Sequence, residues 1–396
     1  MLKNKWIAKA GLAGLSILFC FGQLSAAVLK KGPYLIYDGV NTQMKVLWQL
    51  DSSLSCTIKW GRDASYSTGA ANTDENGSGK HEHQHIYTID GLTPYTHYLY
   101  KINCGAGVDG NGSFYTAPLS DARNVKLLVY GDTRSFPADH DAVNREMINT
   151  YTSDPEFQTI ALHVGDWVNH GYQEADWSSQ FFDPSHTYSN KFQANIPING
   201  VRGNHEGDGN LFLKYFPYPY ETGGFYWSFD YGPVHIAIVD QYVDYSPGSV
   251  QHNWLKKDLE SSTKRWKFIV LHEPGWTAGG HDNNVDVQNH INSLAVKNGV
   301  NIIFAGHNHY YARADVDGIQ HITTGGGGAP LYDPDSNAEK IVSSSKSYHF
   351  CEIDIRGDDL YFTAKDKNGL QIDSFHIALP TKMPASMPSI IAYLFD

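Results

Sequence analysis

The chain lacks the marks of several large protein classes. Lysine and arginine together number 30 against 42 acidic residues, for a formal charge of −12 over 396 residues, and nowhere do the basic ones cluster. A surface of that sign repels the nucleic-acid backbone, so no nucleic-acid partner is expected. No apolar run is long enough to cross a bilayer as a helix. There is no Gly-x-Ser-x-Gly elbow for a nucleophilic serine. The one glycine run, Gly325-Gly326-Gly327-Gly328, is not followed by Gly-Lys-Ser/Thr, so it is no P-loop and reads as a close turn near a site. Asp333-x-Asp335-x-Asn337 opens like a calcium loop, but Ala338 stands where glycine is needed and Ser344 where glutamate is needed. Cysteine is scarce, with four residues at 20, 56, 104 and 351.

Residues 1–27 read as an export leader. Lys3, Lys5 and Lys9 give a positive start, 11–22 an apolar stretch too short to span a membrane, and Ser25-Ala26-Ala27 small residues for cleavage. There is no twin arginine, which points to the general secretory route. Bulky Phe19 before Cys20 is a poor fit to lipid attachment. The mature chain is therefore expected to be secreted or periplasmic, free of the membrane. Three lysines leave with the leader, which takes the charge from −12 to −15. The 369 residues left are enough for two domains with their own cores.

Residues 28–119 hold short alternating runs, among them 44–50 and 56–60, with no helical period; this is β-sandwich patterning. Gly91-Leu92-Thr93-Pro94-Tyr95-Thr96-His97-Tyr98 has the spacing of a tyrosine corner leading into a strand. Through Leu92, Pro94, Tyr98 and Tyr100 the segment resembles a fibronectin type III domain. Cys56 opens one strand-like run and Cys104 closes another. If those strands are antiparallel neighbours, a Cys56–Cys104 bridge follows and Cys351 is the free thiol. His81, His83 and His85 alternate, which fits either a small metal site or a solvated strand face. No carboxylate is spaced to complete a site, and the solvated face is the reading kept.

After a polar, proline-marked break at 116–121 the pattern changes. Five apolar runs each stop at a metal-ligand type of side chain. The first, 125–130, ends in Gly131-Asp132, and the second, 160–164, in Gly165-Asp166. The third, 197–202, ends in Gly203-Asn204-His205, the fourth, 268–271, in His272, and the last, 302–305, in Gly306-His307-Asn308-His309. In extended backbone His307 and His309 point to one side, about 7 Å apart, so one metal could take both or two metals one each. Sites in open α/β sheets lie outside the carboxyl ends of the strands, so five such ends are expected to converge. Helical spacing over 139–151, 250–259 and 285–295 supplies βαβ connections. Strands at 319–324, 349–355, 360–365 and 370–377, with a hairpin turn at Asn368-Gly369, predict a second, more antiparallel sheet packed on the first. Residues 381–396 form a tail with no assignment. Trp167, Tyr172 and Trp177 either wall a cleft or belong to the core.

These five motifs, at spacings of 34, 38, 68 and 35 residues from Asp132 to His307, resemble the ordered motifs of the calcineurin-like metallophosphoesterases. With the fibronectin-like segment ahead, the chain is most similar to the purple acid phosphatase branch. The resemblance implies a fold of class α/β, a four-layer α/β/β/α sandwich over 120–380, preceded by the all-β unit over 28–119. It implies two divalent metal ions, Zn, Mn or Fe. Asp166 would bridge them; Asp132 and His309 would complete one site, and Asn204, His272 and His307 the other. Two cations about 3.5–4 Å apart need a bridging carboxylate and share a hydroxide that attacks phosphorus in line. His205 would stabilise the transition state or protonate the leaving oxygen, and His281, nine residues past His272, is either a substrate-side candidate or a plain loop histidine. The implied activity is a phosphomonoesterase acting on a small phosphate ester. A diesterase or nucleotide hydrolase on the same metals, or a binding protein that has lost activity, is the alternative. Oligomeric state is left open.

Two positions depart from the family pattern. Arg134 stands where many relatives carry a histidine; it cannot ligate a metal but can grip phosphate with two N–H groups. Asn169 stands where the purple branch has a ligand tyrosine, so it or water would have to fill that place. Colour in that branch comes from a tyrosinate-to-ferric charge transfer, which an amide cannot supply. The purified, metal-loaded protein is thus expected to be active with two divalent ions and to show no strong visible band. An intense purple absorption that disappears in Tyr172→Phe, six residues after Asp166, would overturn this.

Overall fold

A computed structural model describes residues 27–75, 83–105 and 107–380. The expected leader up to residue 26, His81 and the tail from 381 lie outside the described residues.

The first seven strands are β1 (Leu29–Ile36), β2 (Met44–Leu50), β3 (Cys56–Gly61), β4 (Gly69–Thr73), β5 (Gln84–Ile89), β6 (His97–Asn103) and β7 (Asp109–Tyr115). They form a three-stranded sheet, β1-β2-β5, and a four-stranded one, β4-β3-β6-β7. Alternate residues such as Trp48, Ile58, Tyr98, Tyr100 and Phe114 fill one core between them. β3 and β6 are antiparallel with Thr57 opposite Asn103, which brings Cys56 beside Cys104, and the two are bridged; Cys351 is free and buried. The tyrosine-corner bond is present, with the Tyr98 hydroxyl accepting from the Thr93 N–H at 3.2 Å. His83 and His85 do not share a solvated face. His85 is buried and stacked on Trp48 at 5.0 Å, while His83 sits in a turn at φ 58° with Nδ1 2.7 Å from Glu75.

The second unit runs β8 (Asn124–Tyr130), α1 (Pro137–Ser153), β9 (Ala161–His163), α2 (Glu174–Asp176), α3 (Thr187–Asn195), β10 (Ile198–Gly200) and α4 (Asn210–Tyr215). Next come β11 (Trp227–Tyr231), β12 (Val234–Ile238), α5 (Val250–Ser261), β13 (Trp266–Val270), α6 (Asn292–Lys297) and β14 (Ile302–Ala305). β15 (Tyr311–Val316), β16 (Ile319–Thr324), β17 (Ile341–Ser345), β18 (His349–Arg356), β19 (Asp359–Asp366) and β20 (Gln371–Ala378) follow. They make two sheets, β10-β9-β8-β18-β19-β20 and β11-β12-β13-β14-β16-β15-β17.

Two expectations need correction here. The five ligand-bearing strands do not lie in one sheet, because β8, β9 and β10 belong to the first and β13 and β14 to the second. The late hairpin does not found a sheet of its own, since β18 pairs antiparallel with β8 and extends the first sheet. Both errors have one cause. Strands buried on both faces read as continuous apolar runs whichever sheet they join. Phe268, Val270 and Phe304 enter the core shared with the first sheet, and their neighbours Ile269 and Ile303 pack on Leu255 and Leu259 of α5.

The two units share a seam along β10, the edge strand of the first sheet. β1 runs beside it with a parallel bridge from Leu35 to Pro197. The Asn199 carboxamide accepts from the Tyr37 N–H at 3.0 Å and donates to the Tyr37 carbonyl at 2.8 Å, standing in for a backbone rung. Lys31 of β1 reaches Glu174 of α2 at 2.6 Å. The edge that carries Asn204 is thus covered rather than bare.

On the far side of the second sheet, His235 of β12 lies between Asp230 at 2.9 Å and Asp258 at 2.8 Å. Burial alone would lower its pKa, but the two carboxylates prevail and raise it from 6.5 to about 9. A raised histidine stabilises the fold fully below the unfolded value and loses that contribution as pH climbs through the folded one. Thermal unfolding between pH 6 and 10 should therefore show a loss of about 2 kcal/mol spread between the ordinary histidine value of 6.5 and about 9, and complete above it. The same series on His235→Asn should lack that step, and an identical step in both proteins would exclude the triad as its source.

Candidate metal centre

Each predicted ligand sits just past the carboxyl end of its strand. Asp132 follows β8, Asp166 follows β9, and Asn204 and His205 follow β10. From the second sheet come His272 after β13 and His307 and His309 after β14. The carboxyl ends of the two sheets meet, and the six side chains meet with them. Asp132, Asp166 and His307, each preceded by glycine, have φ of 55°, 55° and 67°. Non-glycine residues held there store strain, which is typical of functional sites. Gly203 and Gly306 are required for a different reason, because a Cβ on either would collide with Asp166 Oδ1 or Asp132 Oδ2.

The polar atoms brought together are mostly acceptors. Asp132 Oδ1 accepts from the His307 N–H at 2.9 Å, while Oδ2 is buried with no hydrogen-bond partner. Asp166 Oδ1 accepts from the His205 N–H at 3.2 Å and lies 3.2 Å from His272 Nε2. Ligand atoms of Asp132, Asp166 and His309 all fall within 4.8 Å of one another. Asn204 Oδ1 is 3.1 Å from both His272 Nε2 and His307 Nδ1.

His272 makes the demand explicit. Its Nδ1 donates to the Val164 carbonyl at 2.8 Å, so Nε2 turns toward the Asp166 and Asn204 oxygens. A lone pair facing oxygens is stable only with a cation between them, whether a proton or a metal. Burial would lower the His272 pKa, yet Asp166 overrides it and raises the value to about 10. Burial likewise drives the Asp132 carboxyl up, whereas His272 and Arg134 outweigh it at Asp166 and hold that carboxyl below the usual range. Hard carboxylate and amide oxygens mixed with imidazoles, one carboxylate oxygen unpartnered, suit borderline divalent ions. The donor set fits the implied metals.

Several residues that fix this arrangement were not assigned roles from the sequence. Glu206, fully buried, accepts the N–H groups of Gly203 at 2.6 Å, Trp167 at 2.9 Å and Asp166 at 3.1 Å, so it ties the second ligand loop to the third. Burial, reinforced by Asp166, raises its pKa to about 7. Arg202 forks onto Asp240 at 2.9 and 3.0 Å, anchoring the Asn204 loop to the second sheet. Gln241 Oε1 accepts the His272 N–H at 2.8 Å. The Tyr332 ring lies 4.4 Å from that of His309. Glu206 directly follows Gly203-Asn204-His205, and that adjacency was its only local signal.

The remaining candidates surround the six. His205 gives Nδ1 to the Asn169 carbonyl at 2.6 Å and keeps Nε2 3.8 Å from Asp166 Oδ2. His281 is exposed and stacks on His307 at 4.1 Å. Arg134 does not stand free: Nε donates to Asp166 Oδ2 at 3.2 Å, Nη1 to Asn169 Oδ1 at 3.3 Å, and Nη2 to His309 Nε2 at 3.2 Å. Asn169 therefore presents its amide oxygen to Arg134. Tyr172 is 61% exposed and packs near His170, and Trp167 and Trp177 are fully buried core rather than cleft walls. The glycine run folds against the first ligand turn, with the Gly327 N–H on the Gly131 carbonyl at 2.8 Å and the Ala329 N–H on the Asp132 carbonyl at 2.9 Å.

The carboxyl ends of two sheets converge on carboxylates, an amide and histidines, and residues 124–311 match the calcineurin-like phosphoesterase family. The chain carries a calcineurin-like metallophosphoesterase domain in a mixed α/β fold. Its relatives include purple acid phosphatases. Purple acid phosphatase 23 of Arabidopsis thaliana is 27% identical over 286 residues, 62% of each chain. Probable purple acid phosphatase 20 of the same plant is 26% identical over 313 residues, 68% of this chain and 66% of that one. The chain thus spans just under two thirds of these relatives' own length. A purple acid phosphatase from yellow lupin, Lupinus luteus, shares the fold with a TM-score of 0.69 at 17% identity, over 90% of this chain and 78% of that one.

Glu206 supplies a test of the loop arrangement. Glu206→Gln keeps the size but points an N–H group at backbone N–H groups. Metal-stripped protein carrying it should bind divalent ions about 10- to 100-fold more weakly, with its circular dichroism spectrum retained. Unchanged affinity would show that the carboxylate does not set the ligand loops.

Proposed function

We propose that the chain is a divalent-metal-dependent phosphomonoesterase, exported from the cell. Its catalytic unit would be a four-layer α/β/β/α sandwich over 120–380, behind a fibronectin type III-like unit over 28–119. The observation that carries this reading is the acceptor-rich cluster of Asp132, Asp166, Asn204, His272, His307 and His309 at strand ends of both sheets. Asp166 is the candidate bridge, because its two oxygens face opposite halves of the cluster, Oδ1 toward His272 and Oδ2 toward Arg134. Asp132 and His309 would hold the first ion, and Asn204, His272 and His307 the second. When bound, divalent ions would supply Lewis acidity toward a phosphoryl group and lower the pKa of water.

The chain's own side chains would do the rest. His205 commits Nδ1–H to the Asn169 carbonyl, so Nε2, at the edge of the cluster, is the atom that would take up a second proton and pass it to the leaving oxygen. Arg134, His205 and His281 bring N–H groups to the rim, a match for the dianion of a monoester and its terminal oxygens. The Trp167 and Val168 N–H groups are already taken by Glu206, so they serve the loop rather than the substrate.

Elemental analysis of protein equilibrated with excess divalent ion should find two metals per chain. Asp166→Asn should lose both ions and nearly all hydrolysis, since one carboxylate serves both halves, while Asp132→Asn spares the second ion. In parallel assays a nitrophenyl monoester should be turned over in preference to a bis-nitrophenyl diester. A diester preference would reassign the substrate class. An Asp166→Asn protein with two metals and normal turnover would sink the ligand assignment.

A further inference from the structure

A single lone pair governs how Arg134 and a metal can share the first half of the centre. His309 donates Nδ1–H to the Pro330 carbonyl at 2.8 Å, so the only lone pair on its ring is at Nε2. Arg134 Nη2 donates into that lone pair at 3.2 Å. One lone pair takes an N–H group or a metal, not both. The same guanidinium donates to Asp166 Oδ2, the carboxylate oxygen facing the same half. Arginine cannot shed its charge to make room. Its side chain is also well covered, at 12% exposure, so it is held in place rather than trailing in solvent.

The hold is loose, however. The Arg134 contacts are all 3.2–3.3 Å long, whereas the nearby Arg202–Asp240 fork closes at 2.9 and 3.0 Å. Charge-assisted bonds at full strength are shorter than those of Arg134. The second half, Asn204 with His272 and His307, has no contact with the guanidinium.

We infer that Arg134 is an internal cation that occupies the Asp132–Asp166–His309 half until a metal displaces it, and that the displaced guanidinium then grips the phosphate of the substrate. This rests on the metallophosphatase reading above and adds an order of events to it. The second half fills first and tightly. The first half fills second and weakly, because each entering ion must expel a fixed positive charge. Phosphate favours the displaced position of Arg134, so it must tighten metal binding in that half, and metal there must tighten phosphate binding to the same extent.

Calorimetric titration of the metal-stripped full chain with zinc, with and without inorganic phosphate, tests this without measuring turnover. The wild type should show one tight and one weak step, and phosphate should strengthen the weak one. Arg134→Met should tighten the weak step about 10-fold, a coupling of the usual allosteric size, leave the tight step unchanged, and abolish the effect of phosphate. Arg134→Lys keeps the charge but not the fork, and should keep the weak step weak. If Arg134→Met left the weak step where it was or loosened it, the displacement role would be wrong while the metallophosphatase reading stood. If neither protein bound zinc, the metal centre itself would be lost, and this role with it.

Discussion

Six side chains rich in lone pairs and poor in hydrogens are forced together where two sheets end, and the protein cannot satisfy them from within. Asp132 Oδ2 has no partner, and His272 Nε2 faces oxygens. An unmet acceptor costs several times what a hydrogen bond contributes, more so when charged and buried. A packed core could be bought far more cheaply with apolar groups. That the chain instead holds three of the ligand residues in left-handed backbone at its strand ends means the arrangement is maintained against its own local preferences. A bound cation resolves the conflict, since the repulsion that destabilises the cluster alone becomes attraction around a positive charge.

Keeping that cluster in register falls to interactions at some remove from it. Each ligand loop is tied to a different part of the structure: the Asp166 loop to Glu206, the Asn204 loop to Asp240 through Arg202, and His272 to Gln241. Of these ties the Arg202–Asp240 fork crosses from one sheet to the other, so the two sheets cannot slide without breaking a buried charge-assisted pair, while the other two bind neighbouring loops within one sheet. The N-terminal unit extends the same principle. β1 covers the β10 edge, and Asn199, five residues before Asn204, is locked to the Tyr37 backbone on both sides of its amide. An all-β module remote from the chemistry thereby limits the freedom of one ligand loop.

Much of this was legible in the sequence where the signal is local. An apolar run ending in Gly-Asp or Gly-Asn-His announces both a buried strand and what it delivers, and the spacing of Val143, Met147 and Ile148 marked α1, which spans Pro137–Ser153. The Cys56–Cys104 bridge was legible on condition that two strand ends pair antiparallel, and they do. Sheet membership was not legible, because a strand buried on both faces carries no sign of its neighbours. β11 and β12 escaped notice for want of any ligand at their ends. Glu206 and Tyr332 were missed for a related reason: each acts on a residue distant in sequence, and nothing adjacent to either records the partner. Trp167 and Trp177 were open between wall and core, since aromatic abundance near a ligand cannot separate the two, and burial places both in the core.

The two departures from the family pattern, at first sight independent, act on the same half of the centre and in the same direction. Where the resemblance implies a ligand tyrosine, Asn169 would remove an anionic donor from the side where Asp132, Asp166 and His309 converge, and its amide oxygen accepts from Arg134. Arg134 adds a permanent positive charge there. Beside two carboxylates, the first change takes away one negative charge and the second contributes one positive charge, so the potential offered to an incoming ion is weaker on both counts. Coulomb energy scales with ionic charge, so a trivalent ion loses more from this than a divalent one. The second half, with its neutral amide and two imidazoles, is untouched by either substitution. On the proposed metal assignment, arginine and asparagine at these positions act together, as one electrostatic adjustment that would lower the charge of the ion the first half can hold and make its occupancy conditional.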